Sequence, residues 1–270
     1  MRLAKAFARI SNGLLSNHKP RRFSLRTQLV LLVLAVVLPL LVLAAVMFLR
    51  DVQFQRAALE RGMKDTARAL SLALDREVGK LHAVLETLAA SPSLDSRDFK
   101  SFNELALRAT EQRKDSRIVL FDRSGQQIIN TLRPFGASLP NILQEARKSP
   151  EATEGGLPLG SPPTVKSVLE TGEPVISDLF MGLVSKRPSL ATTVPVIRDG
   201  NIAYGLSMVT LPANFATLLR EQGLPHEWNA VIVDRNGTII SRNPDAERFV
   251  GRPVSPKLHG LLSQSDQGWS

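Results

Sequence analysis

The sequence contains no cysteine, which excludes disulfides, thiol nucleophiles and thiolate metal sites and leaves an oxidising compartment permitted but not required. Aromatic residues are scarce at 5%, and no basic stripe is interleaved with them, so a stacking groove for nucleic acid is not expected. His18, His82, His226 and His259 show no metal-ligand spacing such as H-E-x-x-H. Nor does a Gly-x-Ser-x-Gly elbow, a phosphate loop or a dinucleotide fingerprint occur. These absences predict no catalytic residues, no metal and no cofactor.

Acidic residues are missing from the first 27 positions, which hold Arg2, Lys5, Arg9, Lys19, Arg21, Arg22 and Arg26. The formal charge is +9, but outside this arm 27 bases face all 25 acids, a net of only +2. The basic balance is therefore a topology signal, placing residues 1–27 in the cytoplasm, rather than a nucleic-acid footprint. Directly after the arm comes an apolar run, residues 29–49, twenty-one positions without a charge. At about 1.5 Å per residue its helix crosses a hydrocarbon core of about 30 Å. Pro39 stands at its centre, where lipid-embedded helices tolerate it. A signal-peptide core is shorter, about 7 to 15 residues, so an uncleaved transmembrane helix over 28–49 is expected, with residues 50–270 outside.

Beyond the membrane, Met63, Ala67, Leu70, Leu74, Val78, Leu81, Leu85 and Leu88 recur in steps of three or four. They predict a stalk helix of about forty residues, packed on its own domain or on a second copy, and ended by Ser91-Pro92. A second helix should carry Phe99, Phe102, Leu105 and Ala109 inward, with Asp95 or Ser96 as its cap. Strands are then predicted at 118–121, 126–130, 174–178, 189–197 and 202–211, the last two joined by an Asp-Gly hairpin. Pro195 lacks an amide hydrogen and marks an edge or an irregularity. Between the second and third strands lies a proline-rich insert, residues 131–163, of a length that usually serves function. Pro212 opens a helix closed by Gly223.

The most specific feature is an internal repeat. Val119-Leu120-Phe121-Asp122-Arg123-Ser124-Gly125 returns 112 residues later as Val231-Ile232-Val233-Asp234-Arg235-Asn236-Gly237. Asp122 and Asp234 each open a D-R-x-G hairpin, where a short carboxylate caps the turn, so they are not read as a catalytic pair. The fold class expected is α+β: one transmembrane helix, a long stalk helix, a PAS-like five-stranded antiparallel sheet and the start of a second PAS-like module. The division is 1–27 basic arm, 28–49 membrane helix, 50–112 stalk and second helix, 113–211 distal module, 212–227 linking helix and 228–270 a partial proximal module.

With these residues placed, the sequence resembles the double Cache extracytoplasmic sensor domains of bacterial receptors, most of all those of sensor histidine kinases. The resemblance is carried by residues 118–130, 175–180, Arg187-Pro188-Ser189-Leu190-Ala191-Thr192-Thr193-Val194-Pro195-Val196, 204–211, 230–241 and Val250-Gly251-Arg252-Pro253. It implies a bacterial inner-membrane receptor that binds a small molecule in its distal module and signals across the membrane, in a two-component system. No histidine stands in a phosphoacceptor context, so kinase activity is expected only from an output domain past residue 270. The cavity is expected under the insert, with Arg187 holding a carboxylate bidentately. Asp178, Ser185 and Lys186 would join it from the covering segment, and Thr192, Tyr204 and Met208 from the sheet. The bland alternative pairs Arg187 with Asp178 or leaves it to water. An organic acid is favoured over an amino acid, because the distal module has one tyrosine, Tyr204, and Trp228 and Trp269 lie outside it. A homodimer through the stalk is expected. Alternatives are the input of a chemoreceptor or cyclic-dinucleotide enzyme, or a membrane-tethered scaffold whose cavity polar groups pair with one another.

Overall fold

The computed structural model describes residues 25–113, 115–148, 156–221, 223 and 228–262, and the chain divides into two compact units, Met1–Asp65 and Thr66–Ser270. Nearly all of the basic arm lies outside the described residues. In the first unit the helix α1 (Leu25–Ala89) carries the apolar run. Its segment Leu29–Arg50 is long and apolar enough to cross a membrane, and none of it is buried by protein. Pro39 sits inside the helix without ending it.

In the second unit one stripe of α1 turns inward. Leu70, Leu74 and Val78 are half-buried, and Leu81, Leu85 and Leu88 are buried, each of these three stabilising the fold by about 2 kcal/mol. The helix stops before Pro92, which opens the single turn α2 (Pro92–Asp95). Because that turn uses Asp95 and Ser96, the cap of α3 (Phe99–Thr110) falls on Asp98, whose carboxylate accepts the Ser101 amide at 3.1 Å. Phe102 and Ala106 of α3 join Leu81, Leu85 and Leu88 in one core.

The sheet beneath consists of β1 (Ser116–Asp122), β2 (Gln127–Asn130), β3 (Val175–Ile176), β5 (Pro188–Arg198) and β6 (Asn201–Thr210), ordered β2-β1-β6-β5-β3 and antiparallel throughout. A sixth, two-residue strand β4 (Phe180–Met181), not foreseen in the sequence, pairs with the start of β5. Among the described residues no strand pairs with the outer side of β5 beyond Thr193, which is where Pro195 falls. Alternation divides the sheet cleanly. Ile118, Leu120, Val194, Val196, Leu206 and Met208 face the helices, while Val119 and Phe121 face α4 (Ile142–Lys148) and α5 (Pro162–Thr171).

The helix-to-sheet join also holds one ion pair that should be visible in acid. Burial raises the Glu77 pKa, but hydrogen bonds from Arg113 at 2.7 Å and Lys80 at 3.3 Å outweigh it and hold the carboxyl below its ordinary 4.5. A pKa depressed by folding gives stability that is present above the unfolded value and lost as pH falls through the folded one. Asp98, lowered by its Ser101 bonds, acts in the same direction. Melting temperature is therefore expected to fall below pH 4.5, and Glu77→Gln should flatten that limb in a pH series of thermal melts.

After α6 (Ala213–Glu221) come β7 (Ala230–Val233) and β8 (Ile239–Asn243), then α7 (Ala246–Phe249) and α8 (Pro256–Leu262). The rest of the expected linking helix, apart from Gly223, and the last eight residues lie outside the described residues. The repeat read in the sequence is a repeat of backbone. Val119 faces Asn130 as Val231 faces Arg242, and each hairpin has its bulge one position further on. The Ile142 amide donates to Gly125 as that of Val254 does to Gly237, at 2.8 and 2.9 Å. Asp122 Oδ1 accepts the amides of Ser124 and Gln126, and Asp234 Oδ1 those of Asn236 and Thr238. Both carboxylates thus hold their own turns.

Candidate ligand-binding site

The face of the sheet turned away from α1 and α3 is roofed by α4, α5 and the segment around β4, and a cavity of about 70 Å³ lies between. From the sheet come Arg117 and Val119 on β1, Gln127 and Asn130 on β2, Ala191 and Thr193 on β5, and Ser207 and Val209 on β6. The roof adds Ser161, Thr164, Phe180 and Ser185. Its lip is a tight turn in which the Gly182 amide donates to the Arg187 carbonyl and the Lys186 amide to that of Gly182, both at 2.9 Å. A Cβ at 182 would lie 2.1 Å from Ser185 Oγ, so a larger residue there requires that hydroxyl to rotate away. Lys186 takes a φ of 54° to close the turn.

Three polar pairs line the cavity. Thr193 Oγ1 and Ser207 Oγ are 2.8 Å apart, Ser161 Oγ and Thr164 Oγ1 are 2.7 Å apart, and Asn130 Nδ2 donates to Gln127 Oε1 at 2.8 Å. Gln127 Nε2 keeps both its donors without a partner among the described residues. Arg117, which donates Nη1 to the Ser116 carbonyl at 2.7 Å, contributes a cation to the lining, and among the described residues no aspartate or glutamate lines it.

Of the seven residues anticipated from sequence, the structure brings Ser185 to this cavity. Thr192, Met208 and Tyr204 lie on the opposite, helix-facing side. Met208 is fully buried in the core with α1 and α3, Thr192 is its cross-strand neighbour, and the Tyr204 ring meets Phe99 edge-on at 5.8 Å. The phase was reversed because the amphipathic helices claim the more apolar face, leaving Thr193, Ser207 and Arg117 to the cavity. Lys186 and Arg187 are exposed on the outside of the lip. Asp178 pairs with neither, since its Oδ1 accepts Arg235 Nε at 3.0 Å, while Arg235 Nη2 donates to the Ile176 carbonyl at 2.8 Å. With the Leu179 amide donating to Asp234 Oδ2 at 3.1 Å, these bonds tie the β7–β8 turn to the strand leading into the roof. A pattern of hydroxyls on the less apolar parity of β5 and β6 was the signal for the residues missed.

No protein-family model matches the sequence, and no curated protein does. Among solved structures, the fold is that of the Cache-type extracellular sensor domains. The ligand-binding domain of the Campylobacter jejuni chemoreceptor Tlp3, solved with L-valine, matches with a TM-score of 0.50 at 12% identity, over 75% of this chain and 77% of that one. A structure described as methyl-accepting chemotaxis protein X matches with a TM-score of 0.52 at 15% identity, over 75% and 81%. An extracellular ligand-binding receptor from Desulfohalobium retbaense matches with a TM-score of 0.50 at 16% identity, over 74% of this chain and a third (33%) of its own. The likeness is one of fold.

Proposed function

We propose that this chain is the membrane-anchored, extracytoplasmic input region of a bacterial receptor, with residues 113–211 as the distal module and 228–270 opening the proximal one. A small organic acid binds in the distal cavity. The observation that carries the reading is a roofed, mixed polar and apolar cavity on one face of a sheet whose other face holds α1. A cavity of about 70 Å³ suits a small ligand. Arg117 supplies charge for a carboxylate. Ligand drawing the roof onto the sheet pulls on the Asp178–Arg235 tie and on the sheet that packs Leu81, Leu85 and Leu88. Two packings of α1, in a homodimer, would carry the signal. The fold serves a sensor histidine kinase and a chemoreceptor equally.

The test is thermal melting of the detergent-solubilised chain with organic acids, amino acids, amines and sugars. Ligand at 100 times its dissociation constant adds about 2.7 kcal/mol. A small acid is expected to raise the melting temperature, and Arg117→Ala to abolish the rise. One observation favours a second reading, a scaffold without ligand: three pairs of polar side chains lining the cavity bond to each other. A folded chain that responds to none of them would favour it.

A further inference from the structure

The second module carries a cationic cluster that the distal cavity does not explain. At the position where the first module keeps Asn130 in its cavity wall, the repeat places Arg242. The Arg242 guanidinium carbon lies 4.2 Å from the centroid of the Phe249 ring, and those of Arg248 and Arg252 lie 5.8 Å from it. Three positive charges gathered round one ring lie within about 12 Å of one another and repel unless a negative charge is added. Among the described residues none of the three has a carboxylate partner. Arg242 Nη2 donates to Asn229 Oδ1 at 3.2 Å, and Arg242 Nε is buried with no acceptor. A buried guanidinium N–H without an acceptor is the group an oxyanion would satisfy. Phe249 holds the guanidinium groups in place by cation–π contact without consuming their in-plane donors.

We infer that Arg242, Arg248 and Arg252 form a second binding site, for a phosphate-type oxyanion, free or as a lipid headgroup. Arg242 contributes the buried in-plane donor, while Arg248 and Arg252 close over the anion from α7 and the loop after it. The site is separate from the distal cavity, so Arg117→Ala leaves it intact.

Calorimetric titration of inorganic phosphate into the full chain in non-ionic detergent, against chloride at equal ionic strength, tests it. Saturable phosphate binding is expected, weakened about tenfold by Arg248→Gln and again by Arg252→Gln. Both side chains are exposed, so these variants keep the fold, which circular dichroism verifies. Arg242→Lys, which keeps the charge but loses the fork, should also weaken binding. In discs of phosphatidylcholine the phosphate titration should persist; its loss in discs containing phosphatidylglycerol would identify the headgroup as occupant, and its persistence there the free anion. Phosphate heats no larger than those of chloride, or binding unchanged in the Arg248→Gln/Arg252→Gln double variant, would overturn the assignment.

Discussion

Gly205→Ala is expected to lower the stability of the chain by about 3 kcal/mol, a large effect for one methyl group. Gly205 stands in β6 between Phe121 of β1 and Pro195 of β5. A Cβ built on it would lie 2.1 Å from Phe121 Cζ and 2.3 Å from Cε2, because the phenyl ring lies across the glycine. The ring has nowhere to retreat. It is 1% exposed and shares its core with Val119, Ile142, Val165 and Val168, which belong to β1 and the two roof helices. The added methyl must therefore push the ring into α4 and α5 or bend the central strand pair, and either destroys packing already at crystal density. Phe121→Leu in the same chain removes the clashing atoms, so the two substitutions should couple, the second costing less once the first is present. Urea unfolding midpoints of the two single variants and the double measure this. A Gly205→Ala chain that unfolds with the parent would show that ring and backbone do not approach so closely.

The same position shows what could be read from sequence and what could not. A glycine in the middle of a strand signals close approach by another group, but not which one. The hairpin turns were legible because Asp-Arg-x-Gly fixes local geometry: a carboxylate two to four residues from the amides it caps works whatever surrounds it. The stripe on α1 was legible for its period alone; that burial is complete only from Leu81 onward depends on where the sheet lies. The strand face that lines the cavity differs from the expected one by one residue of phase. Thr192 and Thr193, or Met208 and Ser207, are equally good strand residues, and the choice between them is made by α1 and α3, which bury Met208 and leave Ser207 to the cavity. The Asp178–Arg235 tie joins residues 57 apart in the chain, through a turn whose own signature says nothing of its partner.

Thr193→Val is expected to cost about 1–3 kcal/mol and the double variant Thr193→Val/Ser207→Ala close to nothing, the reverse of additivity. The two hydroxyls are 2.8 Å apart and both side chains are buried, at 1% and 5% exposure. Removing one leaves the other a desolvated polar group with no partner, whereas removing both leaves an apolar patch beside Val209 and Ala191, already apolar. Ser207→Ala alone should resemble Thr193→Val alone, because either change orphans one hydroxyl. Ligand binding separates the variants differently. On the sensing reading the pair supplies polar atoms to the cavity floor, so the double variant should be as stable as the parent yet lose the melting shift produced by an organic acid. On the scaffold reading the pair only satisfies itself, and the double variant should match the parent in stability and in output alike. Stability and ligand response measured on one set of three variants therefore separate the two functions without knowledge of the downstream partner.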